Sequence, residues 1–297
     1  MPRAALIVNP FATAVTDEKV AAVARSLART FEVEMLPTQR RGHATELVRE
    51  AGEVDAIFVF SGDGGFNEAV NGSNGLVPLG FVPGGGTSVL PRALGLPRDP
   101  VAAAELLAQA FAARRTRRIS LGRVNGRRFT FAAGLGLDAE AVRRIDALGR
   151  REDGRRPGDL TFALTLGKIL LEHRGRLDPV LDVDGFGRAA LALVANTDPY
   201  SYAKGVALHV APQARFEGGL DLVAPRRVRP HSLPRLLAYV ALGRGQTTAR
   251  DVVYAHDGDR FEIHCDRALP LQVDGEDLGD VEHAVFEAER DALTVLA

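Results

Sequence analysis

The sequence predicts a two-domain protein: an α/β, Rossmann-like N-terminal domain with a parallel sheet, then a β-rich antiparallel C-terminal domain, with a cleft between them. Three observations support this fold class. In the first third of the chain, apolar strand-like runs alternate with helical segments, the order of a parallel sheet with right-handed crossovers. Two of those runs end in glycine-rich turns. Beyond residue 116, short strands recur between Asn-Gly and Asp-Gly turns.

The first domain is predicted to span residues 1–115. Its strands are expected over residues 4–8, 31–36, 56–60 and 79–83. Its helices are expected over 16–30, 43–52, a stretch beginning just after Gly65, 89–94 and 99–113. Thr16 and Asp99 can cap the first and last of these helices through their side chains, and Pro100 fits a first helical position.

The second domain is predicted over residues 116–283. Strands over 117–124 and 127–132 flank Asn125-Gly126, a strong hairpin signal because both turn positions need a positive φ angle. Helices are expected over 138–148, 159–173 and 232–243, with a charged loop over 149–158. Further turns between short strands are predicted at Asp184-Gly185, Asp257-Gly258 and Asp274-Gly275.

The first glycine-rich turn carries the main functional signal. The apolar run Ala56–Phe60 stops at Gly62, Gly64 and Gly65. Glycines let the backbone approach a bulky anion, and the positive end of the next helix attracts it, which predicts a phosphate site. Asp63 would repel a phosphate unless a divalent cation or a hydroxyl lay between them. The alternative is an ordinary tight turn without a ligand.

A second strand, glycine turn and helix follow about twenty residues later. Leu79–Pro83 ends at Gly84-Gly85-Gly86, and Ser88 is predicted to cap the next helix, with Pro91 in its first turn. Two such units place two phosphate-type turns side by side at the carboxyl edge of one parallel sheet, where nucleotides bind.

These residues resemble a known family. Ser61–Gly72 is similar to the GGDGTxNExxNG signature of the diacylglycerol kinase catalytic-domain family, which includes sphingosine kinases and bacterial lipid kinases. Further similarities follow the family's order along nearly the whole chain, at Val8–Pro10, Thr38–Ala44, Pro83–Pro97, Pro212–Leu222 and Val273–Glu276. The resemblance implies a kinase that uses ATP and Mg²⁺ to phosphorylate a lipid hydroxyl, of diacylglycerol or a sphingoid-like alcohol. It also implies that residues from about 284 to 297 return to the first domain.

The resemblance assigns roles to individual residues. Glu276 matches the family's proposed general base, with Asp274 as its neighbour, and Asp63 is assigned to organising nucleotide and metal. Asp63 and Glu276 are expected to face each other across the cleft. A magnesium site of bacterial members is matched by Glu217 and Asp221. The nucleotide-binding candidates are Asn9, Thr38, Gly62, Asp63, Gly64, Gly65, Asn67, Glu68, Gly85, Gly86 and Thr87.

Most of these candidates also have a structural interpretation. Glu276 follows an Asp-Gly turn and fits an exposed hairpin position, Glu68 fits a helix cap, and Asp221 fits a strand. Asn9 fits a local turn, and Thr38 fits a surface position. The residues alone leave both interpretations open.

The sequence departs from the family pattern in both turns. Ser61 replaces the leading glycine, and Gly65 replaces the threonine after GGDG. The family's GT-x-ND segment reads Gly85-Gly86-Thr87-Ser88-Val89, so Gly86 replaces a second threonine and Val89 an aspartate. Two threonine hydroxyls and one aspartate are thus missing at nucleotide-facing positions, although Thr87 could replace one hydroxyl. A kinase with reduced activity and a nucleotide- or lipid-binding relative without activity therefore both stay open.

An NAD kinase-like phosphotransferase is the nearer alternative, since NAD kinases share a GGDGT turn and the general domain plan. Asn67-Glu68 and the segment Arg92–Pro97 favour the lipid branch. The sequence has no GxxxxGK[ST] loop, no GxSxG elbow and no HExxH spacing among its seven histidines. This argues against Walker-type ATPases, α/β-hydrolases and zinc hydrolases.

Composition limits the partners. Lys and Arg total 37 against 38 Asp and Glu, so no nucleic acid partner is expected. Arginine clusters at 114–118, 143–156 and 226–229 form either solvated faces or a patch for anionic lipid headgroups. Peripheral membrane contact and a homodimer are both compatible with the sequence. A single cysteine, with no signal-like or membrane-spanning run, suits a cytoplasmic protein, in part at the inner membrane face.

Overall fold

The computed structural model describes residues 1–149, 159–203 and 205–297. These residues form two compact units, one comprising Met1–Ser120 with Asp291–Ala297 and the other Leu121–Arg290. The domain boundaries predicted from the sequence lie near 115 and 284, and that assignment stays a prediction. Apart from Gly149, the charged loop predicted over 149–158, with its arginines, lies outside the described residues.

The first unit is built from a parallel sheet and helices, as predicted. Its strands are β1 (Arg3–Val8), β2 (Glu32–Pro37), β3 (Ala56–Ser61) and β4 (Leu79–Pro83). Its helices are α1 (Asp17–Leu27), α2 (His43–Glu50), α3 (Asp63–Gly72), α4 (Val89–Ala93) and α5 (Pro100–Ala112). Thr16 and Asp99 cap α1 and α5 through their side chains, which confirms both predicted caps.

The strand order places the sequence's candidate residues at one edge. β1 lies between β2 and β3, β4 pairs with β3, and all of these pairings are parallel. The C-terminal segment adds another parallel strand, with Val295 opposite Leu79. The order changes direction between β1 and β3, so their carboxyl ends form a topological switch point. Every residue of β3 is buried, which anchors the turn that follows it in the core.

The second unit is rich in antiparallel strands, as predicted. Its strands are the end of β5 (Thr116–Val124), β6 (Arg127–Phe129), β7 (Ala132–Leu135), β8 (Leu181–Val183), β9 (Gly187–Ala189), β10 (Ala192–Ala195), β11 (Ser201–Ala203), β12 (Val206–Leu208), β13 (Leu220–Pro225), β14 (Val252–Gly258), β15 (Arg260–Val273) and most of β16 (Glu276–Leu296). Its helices are α6 (Leu137–Ala147), α7 (Asp159–Glu172) and α8 (Leu233–Leu242). Among the described residues, no helix has both the length and the apolar character needed to cross a membrane.

Strands β14, β13, β10, β7, β15 and β16 lie side by side in that order, while β11 and β12 form a separate hairpin. Asn125 and Gly126 both have positive φ angles, which confirms the predicted turn between β5 and β6. The single strand predicted over 127–132 is wrong, because the chain leaves the sheet between Phe129 and Ala132. The N–H groups of Thr130, Phe131 and Ala132 donate to the Asp274 carboxylate.

Candidate active site

The glycine turns after β3 and β4 lie in contact with each other. The backbone N–H of Gly84 donates to the carbonyl of Ser61 at 2.7 Å. A Cβ atom added to Gly85 would lie 2.9 Å from the Cα atom of Gly62, closer than real Cβ atoms come. Glycine is therefore needed at 85 for the two backbones to approach. The prediction that the turns lie side by side at the carboxyl edge of the sheet is confirmed.

Helix α3 begins earlier than predicted. The sequence predicts a start after Gly65, but the helix starts at Asp63, with Gly62 as its extended N-cap. The N–H of Phe66 donates to the Gly62 carbonyl at 3.1 Å and closes the first turn. Gly64 and Gly65 thus lie in that first turn, whose N–H groups have no partner within the helix and point out of its end. An anion at this end would meet those donors and the positive end of the helix dipole.

Asp63 links the two turns. Its Oδ1 atom accepts a hydrogen bond from the N–H of Leu90 at 3.3 Å, so it caps helix α4 from the neighbouring turn. Ser88, which the sequence predicts as that cap, occupies the N-cap position, but its side chain makes no capping hydrogen bond. Ser88 has a φ angle of 49°, and its Oγ accepts from the Gly85 N–H at 3.2 Å instead. Asp63 is partly exposed, so its carboxylate is accessible beside the glycine backbone.

Asn9 lies at the switch point between β1 and β3. Its side-chain amide donates to Ser61 Oγ at 3.1 Å, and its Oδ1 accepts from the N–H of Phe11 at 3.0 Å. Thr38 is buried at the end of β2, where its N–H donates to the Val8 carbonyl at 2.8 Å. Both residues therefore sit at the carboxyl edge of the sheet, with Asn9 in contact with the first glycine turn.

Ser61 and Gly65, the two residues of the first turn that depart from the family pattern, lie so close that side chains at both positions would need the same space. A Cβ atom on Gly65 would lie 2.1 Å from Ser61 Oγ and 2.8 Å from Ser61 Cβ. Ser61 is buried, and its hydroxyl is held by the Asn9 amide. A side chain at 65 would therefore overlap with that of Ser61 unless Ser61 moved. The two departures from the family pattern are consequently one coupled exchange, which spacing along the sequence did not reveal.

The remaining candidates of this unit are held by local contacts. Asn67 is buried, and its Oδ1 accepts from the Asn71 side-chain amide at 3.1 Å. Glu68 accepts from the N–H groups of Gly42 and Ala44, at 2.8 and 3.3 Å, and so caps α2. Thr87 and Gly86 lie on the second turn, where a Cβ atom on Gly86 would meet nothing within 4 Å. Direct contact of these residues with a nucleotide stays a prediction.

In the second unit, the Asp274-Gly275 turn joins β15 to β16 and presents Glu276. Both turn residues have positive φ angles, 47° and 79°. The Asp274 side chain is buried and accepts hydrogen bonds from Thr130, Phe131 and Ala132. Their donors are the Thr130 N–H, the Thr130 hydroxyl, the Phe131 N–H and the Ala132 N–H, at 2.8, 2.9, 3.0 and 3.2 Å. These hydrogen bonds hold the turn in place, so Asp274 has a structural role beside any part it takes in the chemistry.

Glu276 is largely buried, with 13% of its side chain exposed, and Arg127 lies 3.8 Å from its carboxylate. A second contact holds the same turn, because the Gly275 N–H donates to the side chain of Gln272 at 2.9 Å. The exposed hairpin position that the sequence also allowed is therefore not what the structure shows. Glu276 instead lies on a turn held by hydrogen bonds, beside the guanidinium group of Arg127.

Sequence reasoning missed the buried polar chain behind this turn. The Gln272 amide donates to Asp138 Oδ2 at 2.7 Å, and the Tyr200 hydroxyl donates to Asp138 Oδ1 at 2.6 Å. Burial raises the pKa of the Asp138 carboxyl against these two hydrogen bonds, and burial also raises the pKa of Tyr200. The sequence feature that could have revealed this polar chain is Gly136 with Asp138, at a third strand-to-helix junction, after β7.

The predicted magnesium ligands Glu217 and Asp221 differ in exposure. Asp221 is fully buried in β13, and its carboxylate accepts from Tyr254, His256 and the N–H of Asp257 at 2.7, 2.8 and 3.0 Å. Glu217 is exposed. A buried carboxylate with three donors does not fit an open magnesium site in this arrangement. The assignment of the pair as metal ligands stays a prediction.

Residues 3–124 match the family model of the diacylglycerol kinase catalytic domain, and residues 132–297 match that of the YegS C-terminal NAD kinase beta sandwich-like domain. The chain belongs to the diacylglycerol kinase catalytic-domain family. The family resemblance read from the sequence is thereby confirmed, as is the fold class of a parallel α/β domain with an antiparallel β-rich one.

Similar proteins of this family and its relatives cover nearly the whole chain. A diacylglycerol kinase of Bacillus subtilis strain 168 is 27% identical over 293 residues, which is 93% of this chain and 90% of that protein. A crystal structure of a diacylglycerol kinase from Bacillus anthracis strain Sterne superposes with a TM-score of 0.72 at 21% identity, over 99% and 96% of the two chains. The structure of an NAD kinase from Archaeoglobus fulgidus in complex with ATP superposes with a TM-score of 0.54 at 14% identity, over 99% of this chain and 93% of that one. At these identities, the two structures show the fold alone.

Proposed function

We propose that this protein is an ATP-dependent lipid kinase that phosphorylates the hydroxyl of diacylglycerol or of a sphingoid-like alcohol. The observation that carries the proposal is the contact between two glycine turns at the carboxyl edge of the sheet, in a chain of the diacylglycerol kinase catalytic-domain family. The diacylglycerol kinase of Bacillus subtilis, which is similar over nearly the whole chain, supports the choice of acceptor.

The glycine turns are assigned to the nucleotide phosphates. N–H groups of the first turn of α3 and the backbone around Gly85 and Gly86 are the donors, together with the side chains of Asn9 and Thr87. Asp63 fits a magnesium ligand, because it is a partly exposed carboxylate beside that backbone. A magnesium ion bound there would offset phosphate charge during transfer.

Glu276 is assigned to the acceptor hydroxyl. A lipid hydroxyl is a weak nucleophile until it loses its proton, so a carboxylate that takes the proton as the new P–O bond forms would help the reaction. The bond from the γ-phosphorus to ADP breaks in the same step. Arg127, Asp274 and Gln272 would keep this carboxylate in position.

Two alternatives have an observation in their favour. The C-terminal match to an NAD kinase-like domain favours phosphorylation of NAD. The replacement of family residues at Gly65 and Val89 favours a binding protein with weak or no activity. Labelled ATP, offered with diacylglycerol, sphingosine and NAD in parallel reactions, distinguishes all three. Label in the lipid supports the proposal, label in NADP alone contradicts it, and ATP binding without transfer identifies the binding protein.

Variants test the division of roles. Glu276→Gln should keep ATP affinity and lower turnover by about a hundredfold or more, the usual scale for a general base. Asp63→Asn should weaken both ATP binding and turnover, because it removes the charge assigned to the cation. Glu282→Gln, on the same strand as Glu276 but exposed, is the matched control and should leave both unchanged. Normal turnover in Glu276→Gln would remove Glu276 from the mechanism.

A lipid acceptor places the reaction at a membrane surface, so peripheral membrane contact belongs to the proposal. The segment Arg226–Arg229 is the candidate headgroup contact among the described arginine clusters of the second unit. Sedimentation with anionic and with neutral vesicles tests it. Equal binding to both kinds of vesicle would contradict the charge-based contact. The homodimer stays a prediction from the sequence.

A further inference from the structure

A pair of histidines and a glutamate meet on the polar face of strands β15 and β16. His264 stands directly opposite His283 in the strand register, and Glu262 lies two residues before His264, so all three project from one face. The two imidazole rings are stacked, with centroids 4.5 Å apart and planes 16° from parallel. Among the residues that the structure describes, these three form a group whose ligand atoms all lie within 4.8 Å of one another.

The contacts bring one carboxylate oxygen close to both imidazoles. Glu262 Oε1 lies 2.8 Å from Nε2 of His283 and 3.7 Å from Nε2 of His264. Arg260 binds the other oxygen, Oε2, at 2.8 Å, which leaves Oε1 directed at the imidazoles.

We propose that Glu262, His264 and His283 form a binding site for a divalent transition metal of the zinc type. Zinc binds imidazole nitrogen and carboxylate oxygen at about 2.0–2.2 Å, which places tetrahedral ligand atoms about 3.4 Å apart. The separations of 2.8 and 3.7 Å lie on either side of that value, and side-chain rotations that also turn the stacked rings toward one point would equalise them. Water would complete the coordination. Two imidazoles favour zinc, copper or nickel over magnesium, which prefers oxygen ligands.

The site is distinct from the glycine turns and from the Glu276 hairpin, and its ligands come from two strands. A bound ion would therefore cross-link β15 to β16 and stabilise the folded second unit, because it binds the folded state alone. The pair forms across two strands, so the spacing of histidines along the sequence does not reveal it.

The test uses the untagged, chelator-treated chain of residues 1–297, titrated with zinc chloride by calorimetry, with far-UV circular dichroism of every variant. We expect one equivalent to bind, and binding to weaken at least about tenfold in His264→Ala and in His283→Ala. His231→Ala, an exposed histidine outside the cluster, is the control and should bind like the wild type. The glutamine variants at 264 and 283 replace the alanine variants if either fails to fold.

Thermal unfolding gives a second measurement. Zinc should raise the midpoint of the wild type and of His231→Ala, but not that of either cluster variant. A tenfold excess of magnesium chloride should not displace the zinc. The proposal is overturned if zinc does not bind, if the cluster variants bind it as the wild type does, if magnesium displaces it, or if Cys265→Ser abolishes binding.

Discussion

Gly65→Ala should destabilise this protein, although the same change usually stabilises a helix. Replacing glycine by alanine inside an exposed helix gains up to about 1 kcal/mol. At position 65 the new methyl group would lie 2.1 Å from Ser61 Oγ and 2.8 Å from Ser61 Cβ. Ser61 is buried on β3, so it cannot swing into solvent to make room.

The magnitude follows from two costs. Forcing an extra methyl group into a packed site costs about 1–3 kcal/mol. Moving the Ser61 hydroxyl also breaks its hydrogen bond with the Asn9 amide, which contributes about 1 kcal/mol. Together these exceed the helix gain, and we expect the free energy of unfolding to fall by about 1–3 kcal/mol.

Urea denaturation of four variants checks this reasoning. Gly167→Ala is the matched control, since Gly167 lies inside helix α7 and a methyl group there meets nothing within 4 Å. It should be neutral or stabilising. Ser61→Gly combined with Gly65→Ala should be more stable than the sum of the two single variants predicts, by at least about 1 kcal/mol. A Gly65→Ala protein as stable as the wild type would refute the shared space.

The remaining predictions concern other positions. Asp274→Asn keeps a residue that tolerates the positive φ angle but places an amide against buried donors. It should therefore lower the free energy of unfolding by about 2–3 kcal/mol in urea denaturation. The control Asp184→Asn, at an exposed Asp-Gly turn, should change the free energy of unfolding little. Burial and the nearby charges of Asp266 and Glu282 raise the pKa of the Cys265 thiol to about 11. Alkylation by iodoacetamide at pH 8 should therefore be on the order of a hundredfold slower in the native chain than in the urea-unfolded chain, and the native rate should rise toward pH 11. Equal rates in the two states at pH 8 would contradict this prediction. Glu68→Gln removes a charged acceptor from the start of α2 and should lower the thermal midpoint by a few degrees, corresponding to about 1 kcal/mol; an unchanged midpoint would show that this cap is dispensable.

Local signals in the sequence predicted most of the first unit. The apolar runs that became β1, β3 and β4 are bounded by glycine or asparagine, and Thr16 and Asp99 are ordinary cap residues. These features depend on residues a few positions apart, so a single sequence contains them. The start of α3 was placed too late because glycine is a poor helix former, whereas here it permits the close contact with Ser61.

Contacts between residues far apart in sequence could not be predicted in this way. The predicted strand over 127–132 failed because Asp274 binds three consecutive N–H groups that a strand would have used. The pairing of Glu276 with Arg127 and the stacking of His264 on His283 likewise depend on strand register. Register is set by the whole sheet and not by the spacing of a few residues.

The coupled exchange changes how the missing threonine should be interpreted. The sequence alone showed a hydroxyl lost at 65 and, separately, a glycine replaced at 61, and the lost hydroxyl was among the reasons for leaving a kinase with reduced activity open. In the structure, a hydroxyl remains within the space of residue 65, but it is carried by β3 and held by Asn9. If that hydroxyl serves the proposed kinase reaction, Gly65→Thr alone should lower turnover, and adding Ser61→Gly should restore it. Equal activity of this double variant and of Ser61→Gly with Gly65→Ala, which relieves the overlap but carries no hydroxyl, would show that Ser61 fills space and has no part in the chemistry.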